Sequence, residues 1–303
     1  SLLNSEQIAR LDRELELDCS VGIEGLGRFR VNTFHQRGAV ACVLRAIPEG
    51  TPTFQELGMP VEICERLCNL SSGLVLFTGV TGSGKSTSLA AMIDHINETR
   101  SDHIVTIEDP VEYYHTHQQS MVTQREVGTD VTSFAEAMRR ALRQDPDVIL
   151  LGEMRDLETT SAAITAAETG HLVFGTLHTT GASRTVDRII DQYPKEQQEQ
   201  IRSQLAQSLV AVVSQILVPT PDGGRAAAFE IMLANPAIEN HIRKCETFKI
   251  GSVIQTGRRQ GMMLMDDSLL DLYREGRIDQ ETALERAFDE KALLLRMGGG
   301  AAE

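Results

Sequence analysis

With 303 residues, of which 41% are hydrophobic and 24% charged, the chain can bury one large core and a small satellite in the manner of a globular protein. No apolar run approaches the ~20 residues a bilayer-crossing helix requires, and no secretory signal is visible. Acidic residues outnumber basic ones by 43 to 29, for a formal net charge of −14, which argues against direct binding of nucleic acid, a role that calls for a basic footprint.

The chain opens on Ser1 rather than Met, which leaves room for a preceding natural segment. Up to residue 47 it contains strand-like stretches: Phe29 to Phe34 alternates polar and apolar residues, and Ala39 to Ile47 is rich in valine, leucine and small residues. Pro48-Glu49-Gly50-Thr51-Pro52-Thr53 is a cluster of breakers, read as an interdomain linker, and the domain boundary is placed there. Cys64 and Cys68 follow, four residues apart in an apolar helical pattern. None of the five cysteines forms a CxxC pair, so these two read as buried thiols in a reduced, cytoplasmic protein rather than as a zinc or redox motif.

From there the pattern is strand, glycine loop, helix, repeated. Leu74 to Thr78 is a short apolar run that enters a glycine loop, and the helix after it sets Leu89, Met92, Ile93 and Ile96 on one face. Ile104 to Ile107, Val148 to Leu151 and Leu172 to Phe174 are further buried strands, so the fold class is α/β with a mostly parallel sheet covered on both faces. Pro194 is expected to open a long helix carrying Ile201, Leu205, Leu209, Val212 and Ile216, stopped by Pro219. Two more helices are predicted from near Asp266 to Gly276 and from near Asp279, and the closing Gly-Gly-Gly-Ala-Ala is expected to be disordered.

Gly79-Val80-Thr81-Gly82-Ser83-Gly84-Lys85-Ser86 is a complete phosphate-binding loop between an apolar strand and an amphipathic helix. Its glycines let backbone N–H groups turn toward phosphate oxygens, Lys85 supplies a charge to the β and γ phosphates, and the Ser86 hydroxyl can ligate Mg²⁺. The expected cofactors are therefore ATP and Mg²⁺. Hydrolysis also needs an acid near the metal and a group that activates water, and in parallel sheets such groups sit at the carboxyl ends of strands. Glu108-Asp109-Pro110-Val111-Glu112 follows one strand and Gly152-Glu153-Met154-Arg155-Asp156 another. Asp147 lies at the opposite end of its strand, so Glu153 is the better metal-side acid, while position alone leaves open which carboxylate is the base. His171 and His178 bracket the third strand and are candidates for a γ-phosphate sensor at or next to the phosphate edge of the sheet. Arg28, Arg30, Arg37 and Arg45 are either a solvated basic face or arginines that complete a neighbouring subunit's site.

Four stretches together, Gly79 to Thr87, Thr106 to Tyr113, Asp145 to Asp156 and Thr165 to Thr179, resemble the Walker A, Asp box, Walker B and His box of the type II/IV secretion ATPase superfamily, most closely its type IV pilus retraction ATPases. The resemblance implies a partial PAS-like α+β N-terminal domain (1–47), a linker (48–60), a RecA-like P-loop ATPase domain including C-terminal helices (61–290) and a flexible tail (291–303). It implies nucleotide contacts from Gly79, Thr81, Gly82, Ser83, Gly84, Lys85, Ser86 and Thr87, with Ser86 and Glu153 on the metal side. Glu112 falls at the catalytic glutamate, His171 and His178 at the His box histidines, and Arg30 and Arg45 at two arginines that reach the nucleotide in trans. The implied assembly is a homohexamer, cytoplasmic and peripheral at the inner membrane, docked on a pilus platform protein, driving pilus retraction and twitching motility. Extension and secretion motors of the same fold usually carry a tetracysteine zinc motif, absent here. Against this, Ala237-Ile238-Glu239-Asn240-His241-Ile242-Arg243-Lys244 departs from the usual retraction signature Ala-Ile-Arg-Asn-Leu-Ile-Arg-Glu, with a reversed charge at Glu239. An extension or secretion motor, or a slow regulatory paralogue, is the alternative.

Overall fold

The computed structural model describes residues 3–47 and 50–298. Its N-terminal piece begins with a capping box. The Asn4 side chain accepts from the Gln7 N–H and the Gln7 side chain accepts from the Asn4 N–H, both at 2.9 Å, which starts helix α1 (Ser5–Glu14). Strands β1 (Glu16–Ile23), β2 (Gly27–Gln36) and β3 (Ala39–Ile47) then form an antiparallel sheet in that order. Arg37 and Gly38 make the two-residue turn between β2 and β3, with φ of 53° and 81°, so Arg37 serves the turn. Leu11, Leu17, Cys19 and Val31 form a small core separate from the rest.

Pro48 and Glu49 of the expected linker lie outside the described residues. The end of that stretch is not a free connector, because Phe54 and Met59 are buried in the main core. Helix α2 (Val61–Cys68) follows, with Cys64 and Cys68 both buried; burial pushes the Cys64 thiol up to about 12 and the Cys68 thiol up as well, which leaves both unreactive.

The second sheet is built from β4 (Gly73–Thr78), β5 (His103–Glu108), β6 (Met121–Glu126), β7 (Val148–Leu151), β8 (Leu172–Leu177), β9 (Leu209–Pro219) and β10 (Arg225–Leu233). Their spatial order is β10-β9-β4-β8-β7-β5-β6, all parallel except the edge strand β10. Every residue of β4, β7 and β8 is buried, as continuous apolar strands require. Leu74, Val75, Leu76 and Phe77 each contribute on the order of 1.5–3 kcal/mol of burial. Helices α3 (Lys85–Thr99), α4 (Phe134–Ala141), α5 (Leu157–Glu168), α6 (Ala182–Asp191) and α7 (Gln198–Ser208) connect the strands. This is the expected RecA-like α/β arrangement, in which β8 separates the phosphate-loop strand β4 from β7.

The long helix expected from Pro194 to Pro219 is instead α7 followed directly by β9. Leu209, Val212 and Ile216 do fall at helical spacing, but nearly every residue from 209 to 218 is apolar, so the period carries no information. The β-branched Val210, Val212, Val213, Ile216 and Val218 favour a strand, and β9 is sandwiched between β4 and β10. Leu209 already has extended backbone where α7 ends, with no glycine or proline to mark the change.

After β10 come α8 (Pro236–Arg243), α9 (Ile250–Thr256), α10 (Met265–Arg274), α11 (Gln280–Arg286) and α12 (Glu290–Gly298). Asp279 caps α11 as expected, accepting from the Thr282 N–H at 2.8 Å. Asp266 does not cap α10. Its carboxylate accepts from the N–H groups of Phe288 and Asp289 at 2.7 and 2.9 Å and so docks the segment before α12. Residues 291–298, expected to be a flexible tail, continue α12: Leu293 is buried in a second core with Leu269, Leu270 and Ala283, and Arg296 pairs with Asp267. Residues 299–303 lie outside the described residues. Among the described residues no helix is long and apolar enough to cross a membrane.

Candidate functional site

Parallel strands all deliver their carboxyl ends to one edge, and loops there can face one another from different parts of the chain. The phosphate loop leaves β4 at Thr78 and ends where Gly84, with φ 91°, caps the fifteen-residue α3 without any side-chain hydrogen bond. The first N–H groups of α3 are therefore available to an anion. Gly79 has φ 142°, and a Cβ there would meet the Gln215 carbonyl oxygen at 2.2 Å. The loop thus passes against β9 with no room for a side chain, and Gln215 supports it again by accepting from the Ser88 hydroxyl at 2.8 Å. No sequence signal marks Gln215, because the helical spacing across 209–216 masks the strand that carries it.

Lys85 is buried and its Nζ donates to the carbonyls of Gly79 at 2.8 Å and Val80 at 3.1 Å, which folds the loop around its own ammonium. Burial pushes that ammonium below its ordinary value, against the opposing charges of Glu153 and Glu112. The Ser83 hydroxyl is buried in the loop with no partner, while Thr81, Gly82 and Ser86 are exposed along it. Thr87, one residue further, faces the loop after β5.

At the end of β7, Glu153 accepts from Arg155 Nη2 at 2.6 Å and from His178 Nε2 at 3.0 Å. His178 follows β8, so this carboxylate links the end of β7 to the end of β8, the strand beside β4. Burial pulls the Glu153 carboxyl upward, but the hydrogen bond and charge of Arg155 and those of His178 outweigh it, and the group sits below the ordinary carboxylate value. Gly175 makes this junction possible, since a Cβ there would strike Met154 Sδ at 2.5 Å.

Glu112 is exposed in the loop between β5 and β6, close enough to bear on the charge of Lys85. Glu108 at the end of β5 turns inward: its carboxylate accepts from Thr106 Oγ1 at 2.7 Å and Gln124 Nε2 at 3.3 Å. Burial pushes this carboxyl above the ordinary value, whereas Asp109 and Glu112 are exposed and Glu112 is the one whose charge bears on Lys85. Asp147 caps the opposite edge as expected, accepting from the His103 N–H at 2.8 Å.

His171 is not at the phosphate edge. Its carbonyl accepts from the Gly73 N–H at 3.0 Å, at the start of β4, whereas the loop leaves from the other end of that strand. Six residues of strand put it about 20 Å from His178. Its ring nitrogen Nδ1 lies 3.0 Å from the Ala166 carbonyl at the end of α5. Two histidines bracketing a strand necessarily occupy opposite edges of the sheet.

Arg30 and Arg45 are direct cross-strand partners on β2 and β3, and neither has an ion-pair partner among the described residues. Like charges side by side repel, so the pair is costly unless an anion meets it. Arg28 on β2 has its guanidinium carbon 3.7 Å from the centre of the Tyr114 ring.

A nucleoside triphosphate with a divalent ion fits these residues. The loop offers free helix-end N–H groups, an ammonium and an unpartnered buried hydroxyl, and Ser86 and Glu153 could supply an alcohol and an ionised carboxylate to a metal. Among the described residues no group of three or more His, Cys, Asp or Glu could hold a metal by itself. A hard ion with few protein ligands, completed by phosphate oxygens and water, suits such a site.

Residues 9–299 match the family described as type II/IV secretion system protein. The chain belongs to that family. Within the secretion ATPase group it is 50% identical over 286 residues to the type IV pilus retraction ATPase PilT of Pseudomonas aeruginosa, covering 94% of this chain and 83% of that protein. It is also 50% identical over 294 residues to a twitching motility protein of Neisseria gonorrhoeae, covering 97% and 78%. Among solved structures, the pilus retraction motor PilT with bound ADP superposes with a TM-score of 0.92 at 49% identity, over 97% of this chain and 84% of the other.

Proposed function

We propose that this secretion ATPase homologue is a Mg-ATP-hydrolysing motor that powers type IV pilus retraction as a homohexamer. The observation that carries the reading is the convergence of Lys85, Glu153, His178 and Glu112 on one sheet edge, in a chain half identical to a retraction ATPase over nearly its whole length. Gly79, Thr81, Gly82, Ser83, Gly84, Ser86 and Thr87 line the nucleotide site, and Lys85 binds the β and γ phosphates. A Mg²⁺ ion beside Ser86 and Glu153 would neutralise charge on those phosphates when bound. Glu112 takes the proton from the attacking water, and His178, held by Glu153, reads whether the γ phosphate is present. His171, at the far edge, takes no part in its own chain's site. We read the chain as an N-terminal unit through residue 47 and an ATPase unit from residue 61, the latter docking from the cytoplasm on an inner-membrane pilus platform protein.

Arg30 and Arg45 point to a site shared between copies. Arginines supplied in trans stabilise charge on the transferring phosphoryl group. Arg30→Ala and Arg45→Ala are each expected to lower kcat by about tenfold or more while nucleotide affinity stays within about twofold, measured by steady-state turnover and by binding of a fluorescent ADP. Unchanged turnover in both would show that these arginines serve only the surface.

Direction of work is tested by deletion in the native host. Cells should keep surface pili and lose twitching; loss of all pili would assign the chain to extension instead. One feature keeps an accessory role open to that test. On α8, Glu239, where the retraction signature has arginine, pairs with Arg243 at 3.6 Å, so the reversed charge has an opposite charge beside it on the helix surface.

A further inference from the structure

The segment between β5 and β6 has no ladder of its own, so the position of Glu112 depends on the groups that tie it down. The Glu108 carboxylate at its start accepts from Thr106 and from Gln124. One residue on, the Tyr113 hydroxyl donates to Thr87 Oγ1 at 3.1 Å, in the first turn of α3, and its carbonyl accepts from Gln124 Nε2 at 2.8 Å. The next residue, Tyr114, lies under the Arg28 guanidinium of β2. Consecutive side chains thus grip the phosphate-loop helix and the N-terminal sheet.

We propose that Tyr113 and Tyr114 are positioning residues that hold Glu112 at the phosphate loop and make its placement depend, through Arg28, on where the N-terminal sheet sits. The proposal rests on the reading of Glu112 as the hydrolytic base. Glu112 is two peptide units from Tyr114, so a shift of Arg28 is passed to it along a short stretch of backbone. Misplacing a catalytic group by about 1 Å can cost on the order of 100-fold in rate. Arg30 lies two residues from Arg28, on the same face of β2, because side chains of a strand alternate with period two. The strand that offers Arg30 to a neighbour therefore also steadies the base of its own chain. Engagement at one site and readiness at the other are joined by that strand.

The test uses the full chain with Tyr113→Phe, Arg28→Ala, Tyr114→Ala, Tyr114→Phe and Glu112→Gln, together with the double variant Tyr113→Phe/Arg28→Ala. Loss of one hydroxyl contact or one cation–π contact should lower kcat about three- to tenfold. KM, affinity for fluorescent N-methylanthraniloyl-ADP and the melting midpoint should hold. The double variant should be no worse than the poorer single one, since both act through one loop. Tyr114→Ala should match Arg28→Ala, and Tyr114→Phe, which keeps the ring, should recover turnover. Without nucleotide, amide exchange in peptides spanning 109–119 should rise in Arg28→Ala and Tyr113→Phe. Wild-type kcat in both single variants, losses confined to KM, or a double variant equal to the product of the singles would overturn the proposal. Glu112→Gln separates the two levels: if it retains full turnover, the base assignment falls and the link with it. If it is inactive while Tyr113→Phe and Arg28→Ala are fully active, the link alone falls.

Discussion

Lys85→Ala is expected to weaken nucleotide binding by about 100-fold or more, roughly 3 kcal/mol, with turnover lost at ordinary ATP concentrations. The ammonium is buried and folded back onto the Gly79 and Val80 carbonyls, inside the loop proposed to hold the phosphates. Removing it leaves the α3 dipole as the main positive feature, and that field is worth about 1 kcal/mol near a helix terminus. The fold should survive, because the loop backbone is also held against β9 at Gly79 and Gln215. A melting midpoint within a few degrees of wild type, together with lost binding of fluorescent ADP, is the expected pair of results. Near-normal affinity in a folded variant would mean that the loop does not bind phosphate as its shape implies.

Glu112→Gln is expected to do the opposite: nucleotide affinity within about threefold of wild type and kcat lower by about 100-fold or more, the share a positioned general base supplies. The substitution keeps the size of the side chain. That side chain has no hydrogen-bond partner among the described residues, so stability should not change. Glu108→Gln should not reproduce this pattern. It removes a desolvated carboxylate that accepts from Thr106 and Gln124, so its effect should reach stability as well as turnover. Single-turnover and steady-state rates on the two variants distinguish a base from a support. Equal kcat losses with equal losses of stability would remove Glu112 from the chemistry.

The most legible parts of the molecule were those whose signal is local. Leu74 to Thr78, the glycines and Lys85 lie within a dozen residues, and strand, loop and helix follow from apolar continuity, backbone freedom and a 3.6-residue period. Glu153 could be preferred over Asp147 because the two ends of a parallel strand differ in what they face, and the structure seats both accordingly. The same rule, applied to both flanks of β8, would have sent His171 to the far edge. The α7–β9 junction is not legible in the sequence, because a strand buried on both faces has no period to betray it and no breaker separates Ser208 from Leu209. Helix α12 escaped because its apolar face is short, and Leu293 gains its burial from α10 and α11, not from its neighbours in sequence.

What the sequence by itself determined is the chemistry available: a loop shaped for phosphate, an acid for the metal side, a candidate base and a charged N-terminal strand. These are properties of residue type at short spacing. What only the tertiary structure decided is which of these groups meet. Strand order is not written locally, and placing β8 between β4 and β7 is what brings His178 onto Glu153. Contacts such as Tyr113 with Thr87, 26 residues away, Ser88 with Gln215, 127 away, and Arg28 with Tyr114 arise from packing, where side chains distant in the chain share one dense interior or one seam. Local spacing selects the parts; the order of strands and the close packing between them decides which parts touch.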